Sequence, residues 1–338
     1  MSLLRMKAVG SLFLAALLST AAWAVTPVSP GTRNNVMPPP GTLNYVEGNA
    51  SLGNETLTNK SVGEVTLAPG QTLNTGNGKA EVLLTPGVFL RLGENSSAKM
   101  ISPDLTNTAV ELDRGRAMVE VDDIHKENNL RITEDGVQTQ LLKKGLYDFD
   151  ADDGQIRVDK GKAEVLYGDH KDKLDSHQMA DLRRSNDGKL KRENFDPKKY
   201  QGDLYAFSSL RSQYLAQASD EGSRIYVGTG YGWGPGWWWD PWFGGYTYFP
   251  AAGFLNSPFG WGFYSPVVWY GGGGRWFGPR YNGHLYGHWH GPMVVGGPAV
   301  AGGRPIAAVH PTPIGGFHAG NIGFAHAGGF GAFHGGVH

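Results

Sequence analysis

The sequence predicts an all-β body, an antiparallel sandwich, roll or β-helix-like stack, followed by one α-helix and a mostly irregular low-complexity tail. Three observations carry this expectation. From Asn44 to about Phe195, apolar residues alternate with polar ones at period two, and Gly-containing turns interrupt them every 8 to 12 residues or so, as in an all-β fold. From Asp203 to Ala218 the apolar spacing changes to that of a helix. From Gly222 to His338 the composition changes altogether. That third holds 32 of the 51 glycines, nine of the ten tryptophans and eight of the eleven histidines, with no lysine, no glutamate and one aspartate, Asp240.

Residues 1–24 read as a secretory signal peptide. Arg5 and Lys7 precede the short apolar run Ala8–Leu18, and Ala22-Trp23-Ala24 fits a small-x-small cleavage site, so the mature chain is expected to start at Val25. No other stretch is apolar and long enough for a transmembrane helix, and there is no cysteine. Residues 25–43 contain Pro27, Pro30 and Pro38-Pro39-Pro40 and read as an extended linker.

The β body is expected over residues 44–198. Val65 and Leu67 lead to Pro69-Gly70. Val82 and Leu84 lead to Pro86-Gly87, and Val88, Leu90 and Leu92 follow. Val110 and Leu112 run into Asp113-Arg114-Gly115, with Ala117, Val119 and Val121 beyond it. Ile132 precedes Glu134-Asp135-Gly136, Phe149 precedes Asp152-Asp153-Gly154, and Val158 precedes Asp159-Lys160-Gly161. Charged residues between the aliphatics predict one wet face on each sheet.

The stretch Lys79-Ala80-Glu81-Val82-Leu83-Leu84-Thr85-Pro86-Gly87-Val88-Phe89-Leu90-Arg91-Leu92-Gly93-Glu94-Asn95-Ser96 resembles the core of the FecR domain family. Val110–Ala117 resembles that family's next hairpin, and Gly145–Phe149 and Val158–Ala163 its closing hairpins; the resemblance covers residues 45–170 or so. It implies a fold more than a chemistry, because its motifs are turn glycines and alternating aliphatics. The signalling members of the family are sigma-factor regulators with a cytoplasmic segment and a membrane span ahead of the periplasmic domain. This chain has an apparent signal peptide there and ends in an aromatic tail, which places it nearer to exported bacterial FecR-like proteins with Trp/Tyr/Gly-rich C-termini.

A helix is expected over residues 203–219. Leu204, Phe207, Leu210, Tyr214 and Ala218 form its apolar stripe, Asp203 is its cap and Gly222 its end. The β body or the first tail aromatics would provide its dock. The tail, residues 220–338, concentrates aromatic rings, and the expected binding surface is Trp233, Trp237, Trp238, Trp239, Trp242, Trp261, Trp269 and Trp276. Such rings stack on sugars or associate with one another. The competing reading is that some of them cover an exposed face of the β body.

Charge excludes nucleic acid. Residues 25–221 hold 24 Lys+Arg and 30 Asp+Glu, and residues 222–338 hold four Arg and one Asp, so no basic cluster of nucleic-acid density exists. The tail histidines His284, His288, His290, His310, His318, His326, His334 and His338 suit weak metal buffering at most, since no acidic neighbours orient them. Asp148, Asp150, Asp152, Asp153 and Gly154 superficially suggest a calcium loop, but the glycine falls one place late and no glutamate closes it; a hairpin turn is expected. No nucleophile elbow, phosphate loop or His-Glu-x-x-His motif occurs, and no cofactor is expected. The expectation is therefore a non-enzymatic exported protein of the periplasm, cell envelope or exterior. Its expected partners are an envelope polymer (polysaccharide or peptidoglycan), an envelope protein, or copies of itself. A periplasmic sensor or regulator, and a metal buffer, are the alternatives.

Overall fold

A computed structural model describes residues 37–167, 169–186, 189–229, 235–251 and 253–266. The expected signal peptide, most of the linker and all the tail histidines lie outside these residues. Among the described residues no helix is long and apolar enough to cross a membrane.

The period-two runs form two sheets. The first has eight strands in the order β1 (Leu43–Glu47), β5 (Lys79–Leu83), β6 (Val88–Leu92), β9 (Arg116–Val121), β12 (Gly145–Asp150), β13 (Gln155–Lys160), β16 (Gln178–Asn186) and β17 (Lys189–Asn194). The second has nine, in the order β15 (His170–Asp175), β14 (Lys162–Tyr167), β11 (Val137–Leu141), β10 (Arg131–Glu134), β8 (Asn107–Arg114), β7 (Ser97–Asp104), β4 (Thr72–Thr75), β2 (Ala50–Leu52) and β3 (Glu55–Thr56). Neighbours are antiparallel except β8 and β10, which run parallel. Inward residues of the first sheet, such as Val82, Leu90, Val119, Phe149 and Val158, meet Met100, Leu112, Ile132 and Val165 of the second in one buried cluster. The architecture is a sandwich.

Two expected hairpins are instead corners between the sheets. The chain leaves β8 for β9 at Gly115 and β13 for β14 at Gly161, and each step changes sheet. Both glycines have left-handed φ, +74° and +107°. A Cβ at Gly115 would lie 2.4 Å from the Ser96 hydroxyl, and one at Gly161 would lie 2.4 Å from the Tyr147 hydroxyl. A sharp corner against a neighbouring strand needs both properties of glycine. Alternation within a strand does not say which sheet the next strand joins, so the sequence left this open. The Asp-Asp-Gly stretch is a turn, as expected: it joins β12 to β13, and Asp152 accepts from the Gly115 backbone at 2.9 Å. The linker ends early, because Thr42 already bridges to Thr66 and is buried.

The helix α1 (Asp203–Thr229) is longer than expected and runs through Gly222. Its buried face also differs. Leu210 and Tyr214 are exposed, whereas Leu204, Ser208, Ser212, Leu215, Ala216, Ser219 and Ser223 are buried. Small residues let the helix axis lie close to the layer beneath it, which an all-apolar stripe of large side chains would prevent. The expected irregular tail contains two hairpins. One joins β18 (Gly236–Asp240) to β19 (Gly245–Phe249), the other β20 (Phe254–Asn256) to β21 (Gly262–Tyr264). Asp240 closes the first turn: its Oδ1 accepts from Trp242 and Phe243 backbone N–H groups at 2.7 and 3.2 Å. Gly244 takes φ +61°.

Candidate functional site

The outer face of the eight-stranded sheet was expected to be wet; it is covered by α1 and the two hairpins. Outward positions on neighbouring strands carry Glu81, Arg91 and Glu120, all fully buried. Arg91 donates from Nε to Glu81 at 2.7 Å and from Nη1 to Glu120 at 2.6 Å. The covering layer completes the set. Arg211 of α1 reaches Glu81 at 2.8 Å and lies over the Tyr45 ring, and Ser212 donates to Glu120 at 2.6 Å. Asn44 donates to Glu81 at 2.8 Å and to the Tyr246 carbonyl at 2.9 Å, while its Oδ1 accepts from the Tyr246 N–H at 2.6 Å. Burial alone raises the Glu81 pKa, but Arg211 and Arg91 outweigh it and hold the carboxyl down at about 2.

Toward β12 and β13 the same face continues as Arg116, Asp148, Arg157 and Asp150. Asp148 accepts from Arg116 at 2.7 Å and from Arg157 at 3.0 Å, and Asp150 accepts from Arg157 at 3.1 Å. These aspartates are neutralised by arginines, and no cluster of three or more potential metal ligands exists among the described residues. The charged face is a seam that fixes the covering layer in register.

The tryptophans divide. Trp237 and Trp239 are buried, which corrects their expected place on an adhesive surface. Trp237 packs edge-on to Phe89 of β6 at 5.1 Å between centroids, and Trp239 edge-on to Tyr246 at 5.1 Å. Trp238 stacks on Phe249 at 5.3 Å. Trp261 is partly buried against the core. The physical reason is period two: β18 presents Trp237 and Trp239 on one face, and β19 answers with Tyr246 and Tyr248. Trp242, at the hairpin tip, is 74% exposed. Trp233, Trp269 and Trp276 lie outside the described residues. The rings therefore include a lid for the sheet, and one tryptophan of the five described stands outside it.

An open groove of about 690 Å³ lies where the β20–β21 hairpin meets the sandwich. Lys143 and Lys144 from the turn before β12, and Lys160 at the end of β13, line it together with Asp122 and Asp123. Ile124, Leu142 and Leu255 make its apolar part. Lys160 donates to the Pro258 carbonyl, and Asp123 accepts from the Tyr248 hydroxyl at 2.7 Å. Asp122 is fully buried; burial, reinforced by Glu120, pushes its pKa well above the usual carboxylate range. The sequence reading did not single out this groove or the charged seam. The available signal was the set of charges within otherwise aliphatic strands, Glu81, Arg91 and Glu120, together with a small-residue helix in need of a dock.

Residues 71–169 match the family model described as FecR protein, so the chain contains a FecR domain. Two crystal structures described as "a putative anti-sigma factor from Parabacteroides distasonis ATCC 8503" are similar over 38% of this chain and 62% of theirs. Their identities are 17% and 16%, with TM-scores of 0.33 and 0.32. The chain thus spans less than two thirds of those proteins, and at these scores the likeness carries no argument. Comparison with curated proteins finds no match.

Proposed function

We propose that this chain is a non-enzymatic, exported bacterial protein whose FecR domain acts by binding another protein, in the manner of the signalling FecR regulators. The observation that carries this reading is the FecR match over residues 71–169 in a body where, among the described residues, most aromatics beyond α1 pack against it. Among the described residues, the two hairpins that follow α1 lie on the sandwich and extend it, and rings packed in this way are poorly placed to serve as a free adhesive. The exposed, polar surface of such a body suits a protein partner at an interface of ordinary, mixed composition. Export rests on residues 1–24, and intact mass of the protein recovered from its host tests it: the expected chain begins at Val25.

A second reading, attachment to envelope polysaccharide or peptidoglycan, is favoured by Trp242, the ring left 74% exposed. One experiment separates the two. Photo-reactive residues are placed at exposed positions over the whole surface of the full chain, and adducts are collected from intact cells. Discrete protein adducts at one patch support the protein-partner reading. Sedimentation with purified envelope polymer, lost on Trp242→Ala and without protein adducts, supports the polymer reading and overturns the first.

A further inference from the structure

The groove beside β20 has properties that the covering layer alone does not require. Lys143, Lys144 and Lys160 converge on it, and none of them makes an ion pair with a carboxylate among the described residues. By contrast Lys79, Lys99 and Lys162 each have such a partner. Asp122 forms part of the wall, wholly buried, and neither of its oxygens has a donor among the described residues. A buried carboxyl without a donor is costly in its charged form, so Asp122 offers the groove little negative charge. The third property is backbone. β20 pairs with β21 alone, so among the described residues its other edge has no strand partner. Ser257 N–H goes to the Trp261 carbonyl and Ser265 N–H to the Gly253 carbonyl. By antiparallel alternation, Phe254 and Asn256 present their backbone groups on the opposite edge.

We propose that this groove binds an extended acidic peptide segment of a partner protein, which adds to the free edge of β20 and sets its carboxylates on Lys143, Lys144 and Lys160. Edge addition gives main-chain hydrogen bonds, and alternate side chains give specificity. With Asp123 engaged by the Tyr248 hydroxyl and Asp122 wholly buried, three ammonium groups line the groove against little exposed carboxylate. The apolar residues Leu142 and Leu255 suit the alternate, uncharged side chains of such a segment. The occupant is not the remainder of this chain: residues 1–36 and 267–338 contain no aspartate or glutamate and carry Arg5, Lys7, Arg33, Arg275, Arg280 and Arg304.

The proposal deepens the protein-partner reading and rests on it. Its test is fluorescence anisotropy on the full chain with a labelled short peptide of alternating glutamate and valine. The glutamine counterpart is the control, and citrate and inorganic phosphate are competitors. The acidic peptide should bind, weaken with salt, and weaken about tenfold or more in Lys143→Ala/Lys144→Ala, as charge-paired contacts do. Lys143→Glu/Lys144→Glu should transfer preference to a lysine–valine peptide. If these variants fail to fold, NMR shifts of the unaltered protein decide: peptide should move the amides of Lys143–Gly145 and Phe254–Ser257. Equal binding of the glutamate and glutamine peptides overturns the proposal. So does citrate or phosphate competing as strongly as the peptide itself, which marks a small-anion site. Discrete photo-adducts elsewhere on the surface, without peptide binding here, leave the protein-partner reading standing and overturn this one.

Discussion

Arg91 shows how a single side chain ties this protein together. It lies between two carboxylates that would otherwise be buried and charged, Glu81 and Glu120. Arg91→Met should cost about 3–5 kcal/mol in urea unfolding, because it leaves Glu120 buried without a cation, while Glu81 keeps Arg211, rather than because the ion pairs were strongly favourable. The acids also set opposite pH responses. Glu81, held down at about 2, lies below the ~4.3 of an unfolded glutamate, so its contribution is present above pH 4.3 or so and is lost as pH falls toward 2. Glu134 behaves in reverse. It lies on the inward face of β10, its oxygens have no donor among the described residues, and burial, aided by Asp135, pushes it up to about 9. The folded chain holds that proton while the unfolded chain releases it, so stability falls as pH rises from about 4.3 toward 9. Glu134→Gln should remove about 1.4 kcal/mol per pH unit from the slope of unfolding free energy between about pH 6 and 8. At this scale the sequence was readable for aliphatic positions and misleading for charged ones. Period two places Val82 and Glu81 on opposite faces but cannot say that a second layer lies beyond the charged one.

The elements were legible in proportion to how local their determinants are. The sandwich strands have their alternation and their turn glycines in the sequence itself. The helix was found, but its far end and its docking face were not. Gly222 is a reasonable terminator by propensity, costing about 1 kcal/mol against alanine in a helix interior. It is kept inside α1 because the β18–β19 hairpin approaches there. A Cβ at Gly222 would lie 2.8 Å from Trp238 Nε1 and 3.1 Å from the Phe249 ring. Gly222→Ala should therefore lower the thermal midpoint despite its better propensity, with a net loss of about 1 kcal/mol. A midpoint that rises instead would mean that the hairpin does not press on the helix. The hairpins were missed because Gly and Pro around them suggested irregularity, although Trp237-x-Trp239 and Tyr246-x-Tyr248 keep strand alternation across a turn headed by Asp240.

At the scale of the molecule, residues 37–266 include a FecR domain with a third layer on one sheet. Ending the chain after Ser219 removes the hairpins and uncovers Phe89, which meets Trp237 and Phe263. The truncated protein should bind a hydrophobic dye and lose its cooperative unfolding transition in near-UV circular dichroism; retention of both native signals would show that the hairpins are dispensable. The candidate groove was invisible to sequence reading because its lysines come from two places, the turn before β12 and the end of β13, and its wall from a hairpin about a hundred residues further along. The Lys160 ammonium and the Pro258 carbonyl that close it are 98 residues apart.

Asn44 holds Tyr246 across 202 residues of chain. A polypeptide made from its N-terminus reaches that handclasp only when nearly everything before residue 246 has been made. Until then the charged seam lacks the hairpin part of its cover, and completion of the native state waits on the arrival of that segment. Such a closure, with its large sequence separation, slows folding.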